Sequence, residues 1–76
     1  MTITREHILE IFRALDINDA ITDDMLFTDQ GLDSIDLPRA AAAIERKFNV
    51  DMSDAKAEDL KTMNLLLSYL NNKTRG

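Results

Sequence analysis

Cysteine is missing altogether from this 76-residue chain, which excludes a disulfide framework, a thiolate metal site and a native thiol nucleophile, and fits a reducing cytosol. Histidine occurs once, as His7, so a serine nucleophile would have a single imidazole to draw on. Two glycines and one proline are too few for a disordered or low-complexity chain. No apolar run nears the roughly 20 residues that a bilayer-spanning helix needs, and Arg5 and Glu6 interrupt the N-terminus before a signal-peptide core can form. A soluble, cytoplasmic protein with no stable membrane insertion is expected. Positive charge is in the minority, 9 basic against 14 acidic residues, and the net charge of -5 argues against nucleic acid as a partner.

What is present is one domain's worth of chain, residues 1–76, with an ordered core expected from about 3 to 71 and a tail over 72–76. A core of this size typically supplies only about 3 to 5 kcal/mol of net stability, and a deep enzyme cleft is not expected in it. The acidic residues are concentrated. Asp16, Asp19, Asp23, Asp24, Asp29, Asp33 and Asp36 follow one another with no lysine or arginine between them. Such a segment is either a solvated loop or a negative field that steers basic partners toward itself.

Apolar spacing predicts helices. Ile8, Ile11, Phe12 and Leu15 mark one face of a first helix, capped by Thr2 or Thr4, with His7 a solvated residue on it. Residues 16 to 33 form a long connection, for which Met25, Leu26 and Phe27 are the expected anchors. Its twelve-residue stretch DINDAITDDMLF starts like an EF-hand but has Ile21 and Phe27 where glycine and glutamate belong, so no metal site is expected. A second helix is expected from about Ser34 to Lys47, with Leu37, Ala41, Ile44 and Phe48 buried and Ile35, Arg39, Ala42 and Arg46 on another, accessible face. Ser53 would cap a short third helix ending at Leu60. Thr62 would cap a last one with Met63, Leu66, Leu67 and Leu70 inward, widened by Leu65 and Tyr69. The fold class is all-α: a four-helix bundle with a long loop after the first helix and a short third helix.

Ser34 poses the functional question. A serine nucleophile needs a base within reach, and the one histidine is on a different helix. The stretch GLDSID also lacks the flanking glycines of a nucleophile elbow, having Leu32 and Asp36 at those positions. Enzymatic activity of the chain itself is therefore not expected. Asp33 or Ser34 can simply cap the second helix, contributing about 1 kcal/mol. Alternatively Ser34 is acted upon: a hydroxyl at an exposed helix start can enter another enzyme's active site and receive a phosphate-linked group, which the helix N-terminus would favour.

The chain resembles the acyl carrier protein family, whose modified serine lies in a Gly-x-Asp-Ser-(Leu or Ile) motif; here the motif is Gly31-Leu32-Asp33-Ser34-Ile35. The resemblance extends to the apolar first helix, Phe27, the FNV at 48 to 50, the short third helix and the closing TMNLLLSYLNN. It implies that Ser34, beside Asp33, carries 4'-phosphopantetheine transferred from coenzyme A by a magnesium-dependent phosphopantetheinyl transferase. Cargo would then ride on the arm as a thioester. The protein would be a monomeric carrier and no enzyme, serving acyl-loading ligases or synthases in fatty acid, polyketide or specialised acyl biosynthesis. Leu37, Ala41, Ile44 and Leu60 would line a space for the cargo. Two alternatives stand beside this: an aminoacyl or peptidyl carrier of the same fold, and a helical interaction module without a prosthetic group.

Departures from the family pattern sharpen the expectation. The second helix is usually strongly acidic, whereas this one sets Arg39, Arg46 and Lys47 among Asp33, Asp36 and Glu45. The expected partner face is Ile35, Asp36, Arg39, Ala42, Glu45 and Arg46, mixed in charge, which favours a specialised over a housekeeping carrier. Pro38 would be the fifth helical residue if Asp33 caps, costing roughly 3 kcal/mol unless the first turn kinks or tightens. Gln30, where leucine commonly precedes the glycine, predicts looser loop packing.

Overall fold

The computed structural model describes residues 2–75, the last of them by its backbone alone. Among these are three α-helices and no strand: α1 Arg5–Ala14, α2 Asp36–Phe48 and α3 Met63–Arg75. Two 3-10 turns, Phe27–Gln30 and Ala57–Leu60, lie in the connections. The fold is thus all-α, but the expected four helices are three α-helices and two short turns. The short third helix is the second of these turns, too brief to hold α-geometry without tertiary support. Its cap is not Ser53. Asp59 closes it by accepting the Lys56 N–H at 2.9 Å.

Thr4 begins α1, with its hydroxyl accepting the His7 N–H while His7 Nδ1 accepts the Thr4 N–H at 3.0 Å. This is a capping box in which imidazole replaces the usual carboxylate or amide. His7 is not merely solvated, since its ring also meets Phe48 edge-on at 5.5 Å. Thr62 opens α3, accepting the Leu65 N–H at 3.1 Å. The expected tail is helical as far as Arg75. Asn71, where fraying was expected to start, exchanges hydrogen bonds with both main-chain groups of Ile3, at 2.8 and 2.9 Å. Gly76 of that tail lies outside the described residues.

The apolar faces converge as their spacing demands. Ile8, Phe12, Ile44, Met63 and Leu70 are fully enclosed, and Phe12 meets Phe27 edge-on with ring centres 5.7 Å apart. Leu65 does not widen the core; it is exposed, while Tyr69 is half-buried with its hydroxyl donating to Asp54.

The long connection is fastened along its length. Ile17, Ile21, Phe27 and Leu32 are its buried anchors, whereas Met25 and Leu26, 44% and 41% exposed, face outward. In a run of three apolar residues at the start of a tight turn, only one can point at the core, and Phe27 takes that place. Arg5 donates to Asp23 and to the Ile21 carbonyl, both at 2.8 Å. The Phe27 and Asn64 amides bind the Lys61 and Asp23 carbonyls, pinning the loop to the start of α3. Gln30 packs this loop tightly, contrary to expectation. Its side chain accepts the Thr22 N–H at 2.6 Å and donates to the Thr22 and Met25 carbonyls, both at 3.0 Å.

Candidate functional site

Gly31 ends the first 3-10 turn at φ 90°, a left-handed conformation that side chains resist. The reversal sends Leu32 into the core and brings Asp33 out to the surface. From there the chain makes one more tight turn. The Asp36 N–H donates to the Asp33 carbonyl at 3.1 Å, and the Asp33 N–H donates to Asp36 Oδ2 at 3.0 Å. Ser34 and Ile35 are the two residues on the corner, both exposed, Ile35 at 64%. The Ser34 hydroxyl makes no hydrogen bond to any described residue.

Helix α2 therefore starts at Asp36, two residues later than expected, and neither Asp33 nor Ser34 caps it through its side chain. Ile35 stands at the cap position, so Pro38 is the third helical residue. There the missing N–H has no helical carbonyl to meet in any case, and the expected strain does not arise. Nothing then requires the kink or tightened helical turn that was expected; Ser34 lies instead in the Asp33–Asp36 turn ahead of the helix.

The six residues expected on the partner face divide into two groups. Ile35, Ala42 and Arg46 are exposed on one stripe of α2, and Arg46 forms no side-chain hydrogen bond or ion pair among the described residues. The other three are engaged internally. Asp36 closes the serine turn, Arg39 donates to the Leu15 carbonyl at 3.0 Å, and Glu45 Oε2 accepts the Met52 N–H at 2.8 Å. Lys47 sits 3.5 Å from Glu10. The acidic segment is likewise partly neutralised: Asp19 pairs with Arg13 and Asp23 with Arg5. Asp16, Asp24, Asp29 and Asp33 are exposed and form no ion pair among the described residues, a smaller field than the count of seven implied.

Leu37, Ala41, Ile44 and Leu60 meet around one void, together with Phe12 and Phe27. It measures about 10 Å³, the lower limit for a single water, so the space expected there is too small to hold a cargo. Outside it, Leu26, Thr28, Leu37, Ala57, Leu60 and Lys61 border an apolar groove beside the first turn of α2. Leu26 was assigned to the core by sequence, and its place on this groove was missed because consecutive apolar residues carry no period to separate inward from outward.

The site can present a hydroxyl but not activate it. His7, on α1, has its Nδ1 committed to the Thr4 amide. No helix is long and apolar enough to cross a membrane among the described residues.

Residues 6–70 match a protein family described as "Phosphopantetheine attachment site". The chain is also similar to the acyl carrier protein of Desulforapulum autotrophicum, 33% identical over 67 residues that make up 88% of this chain and 87% of that one. It is 35% identical over 65 residues to the acyl carrier protein of Buchnera aphidicola subsp. Acyrthosiphon pisum, covering 83% of this chain and 81% of the relative. The acyl carrier protein of Bdellovibrio bacteriovorus is 40% identical over 48 residues, 63% of this chain and 62% of that one.

Proposed function

The chain belongs to the acyl carrier protein family, whose members are carriers rather than catalysts, and we propose on that footing that Ser34 bears the 4'-phosphopantetheine arm. The observation that carries this reading is the Ser34 hydroxyl itself, exposed at the corner of the Asp33–Asp36 turn and without a hydrogen bond to any described residue. Attachment through that oxygen displaces nothing in the fold. The arm, once attached, supplies a thiol that holds cargo as a thioester and delivers it at high local concentration.

The chain's own residues have the simpler task of presentation. Gly31 and Leu32 set the corner in place, Asp33 stands beside it, and the positive end of α2 begins two residues on, where an anion is favoured. Proton removal from Ser34 falls to a phosphopantetheinyl transferase using coenzyme A. Acyl-loading ligases or synthases are the later partners. They meet a face built on Ile35, Ala42 and Arg46, to which Asp36, Arg39 and Glu45 contribute only what their internal bonds leave over.

The exposed Arg46 on α2 supports a specialised acyl or polyketide pathway over housekeeping fatty acid synthesis. A cytoplasmic monomer consisting of one domain, residues 1–76, completes the reading. Incubation with coenzyme A and a broad-specificity transferase is expected to add one phosphopantetheinyl group by intact-protein mass spectrometry, with none added to Ser34→Ala. An unmodified wild type, or a modified Ser34→Ala, would overturn the assignment.

A further inference from the structure

Four groups in series connect the corner that carries Ser34 to the far end of α1. Asp36 answers both main-chain groups of Asp33, through Oδ2 at 3.0 Å and through its own N–H at 3.1 Å. Its other oxygen, Oδ1, lies 3.5 Å from Arg39 Nη1. Arg39 Nη2 then donates to the Leu15 carbonyl at 3.0 Å, across 24 positions of sequence. Leu15 is the C-cap of α1, where carbonyls lack helical partners and the helix dipole favours a cation.

The Asp36 side chain is only 18% exposed against 48% for Arg39, so its carboxylate is spent inward. Leu32 in the core holds the corner from behind, and the Arg39 N–H on the Ile35 carbonyl, at 3.3 Å, holds it from ahead. The cap residue Ile35 offers no side-chain hydrogen bond, and both corner residues lack packing on their outer side.

We propose that Asp36 and Arg39 are positioning residues for the modification of Ser34, Asp36 holding the turn closed and Arg39 acting through Asp36 by anchoring it to α1. This rests on the reading of Ser34 as the attachment residue. A transferase must receive the serine in one backbone shape. If the brace is cut, only a fraction of molecules holds that shape at any moment, and apparent affinity falls by that fraction.

The test uses the full apo protein, coenzyme A and a purified broad-specificity transferase. Removing Asp36 with Asp36→Ala is expected to raise KM for the carrier about fivefold, the weight of a hydrogen bond, with kcat nearly unchanged. Arg39→Ala is expected to raise it about threefold. Because Arg39 acts through Asp36, the double variant should be no worse than Asp36→Ala alone. Amide hydrogen exchange at Asp33 should quicken in each single variant while Leu66 and Leu70 in α3 keep their protection.

Effects on KM that multiply in the double variant, with Asp33 exchange unaltered, would mean that both side chains touch the transferase directly and would overturn the brace. Should Asp36→Ala lose protection throughout α3, Arg39→Ala decides by itself, since it removes a half-exposed side chain outside the core: unaltered Asp33 exchange in that variant also overturns the proposal. Failure of the wild type to take up the group would strike the attachment reading instead. Asp33 exchange needs no transferase and tells the two failures apart.

Discussion

Gly31 has nothing within 4 Å of where a Cβ would stand, so its replacement is limited by conformation and not by space. At φ 90° an L-residue is strained, and Gly31→Ala is expected to lower unfolding stability by about 1 to 2 kcal/mol in urea titrations, with Gly31→Asn costing less. Its neighbour Gln30 holds the loop through three side-chain hydrogen bonds that are open to solvent. Gln30→Leu should cost about 1 to 2 kcal/mol and speed amide exchange at Thr22, the residue whose N–H and C=O it clasps. These two positions differ in how well they could be read beforehand. Gly31 and Ser34 are legible because a tight turn and a motif demand particular residue types at fixed offsets. The role of Gln30 is not, because an amide side chain that satisfies backbone groups eight and five residues away leaves no periodic trace. Met25 and Leu26 were misassigned for a related reason: hydrophobicity marks a residue as able to be buried, and the geometry of the turn decides which one is.

At the scale of elements, α1 and α3 were legible from apolar spacing and from Thr4 and Thr62 as caps, since both signals are local. The start of α2 was displaced by two residues because two rules competed there. Asp33 and Ser34 are good cap residues, but a helix beginning with them puts Pro38 where it must break a hydrogen bond, and the avoided cost of roughly 3 kcal/mol exceeds the cap's contribution of about 1 kcal/mol. The segment before α3 is held to that helix by Tyr69, whose hydroxyl donates to Asp54 at 2.5 Å, with Lys73 at 3.0 Å from the same oxygen. Burial first, and the bond to Asp54 second, push the Tyr69 phenol well above its ordinary value of 10.0. A phenol raised in the folded state gives stability that is fully present below pH 10 and lost as pH climbs beyond it. Asp54 is held below its ordinary 3.8 by the Tyr69 hydroxyl and then by Lys73, so its contribution is present above that value and lost as pH falls through the lowered one. Thermal melts should therefore weaken at both extremes, and Tyr69→Phe should flatten the alkaline limb.

The molecule as a whole is closed by a contact that its sequence hides. Ile3 and Asn71 are 68 residues apart, and nothing in NNKTRG announces that its first asparagine binds both main-chain groups near the opposite end. Asn71 donates to the Leu67 carbonyl as well, at 3.0 Å. Asn71→Ala removes all three bonds at a half-buried position and is expected to cost about 2 to 3 kcal/mol, read as a lower denaturation midpoint. The charge pattern was also only half legible. Counting aspartates gave the sign of the loop, but which of them meet Arg5, Arg13 and Arg39 depends on how the helices lie. The Ile3–Asn71 stitch has one more consequence: the approach to α1 and the last turns of α3 touch each other. A permuted version, with Thr2 joined to Lys73 by a few glycines and the backbone reopened at the exposed Lys56, should fold with its serine corner undisturbed, like a pendant rehung from another link.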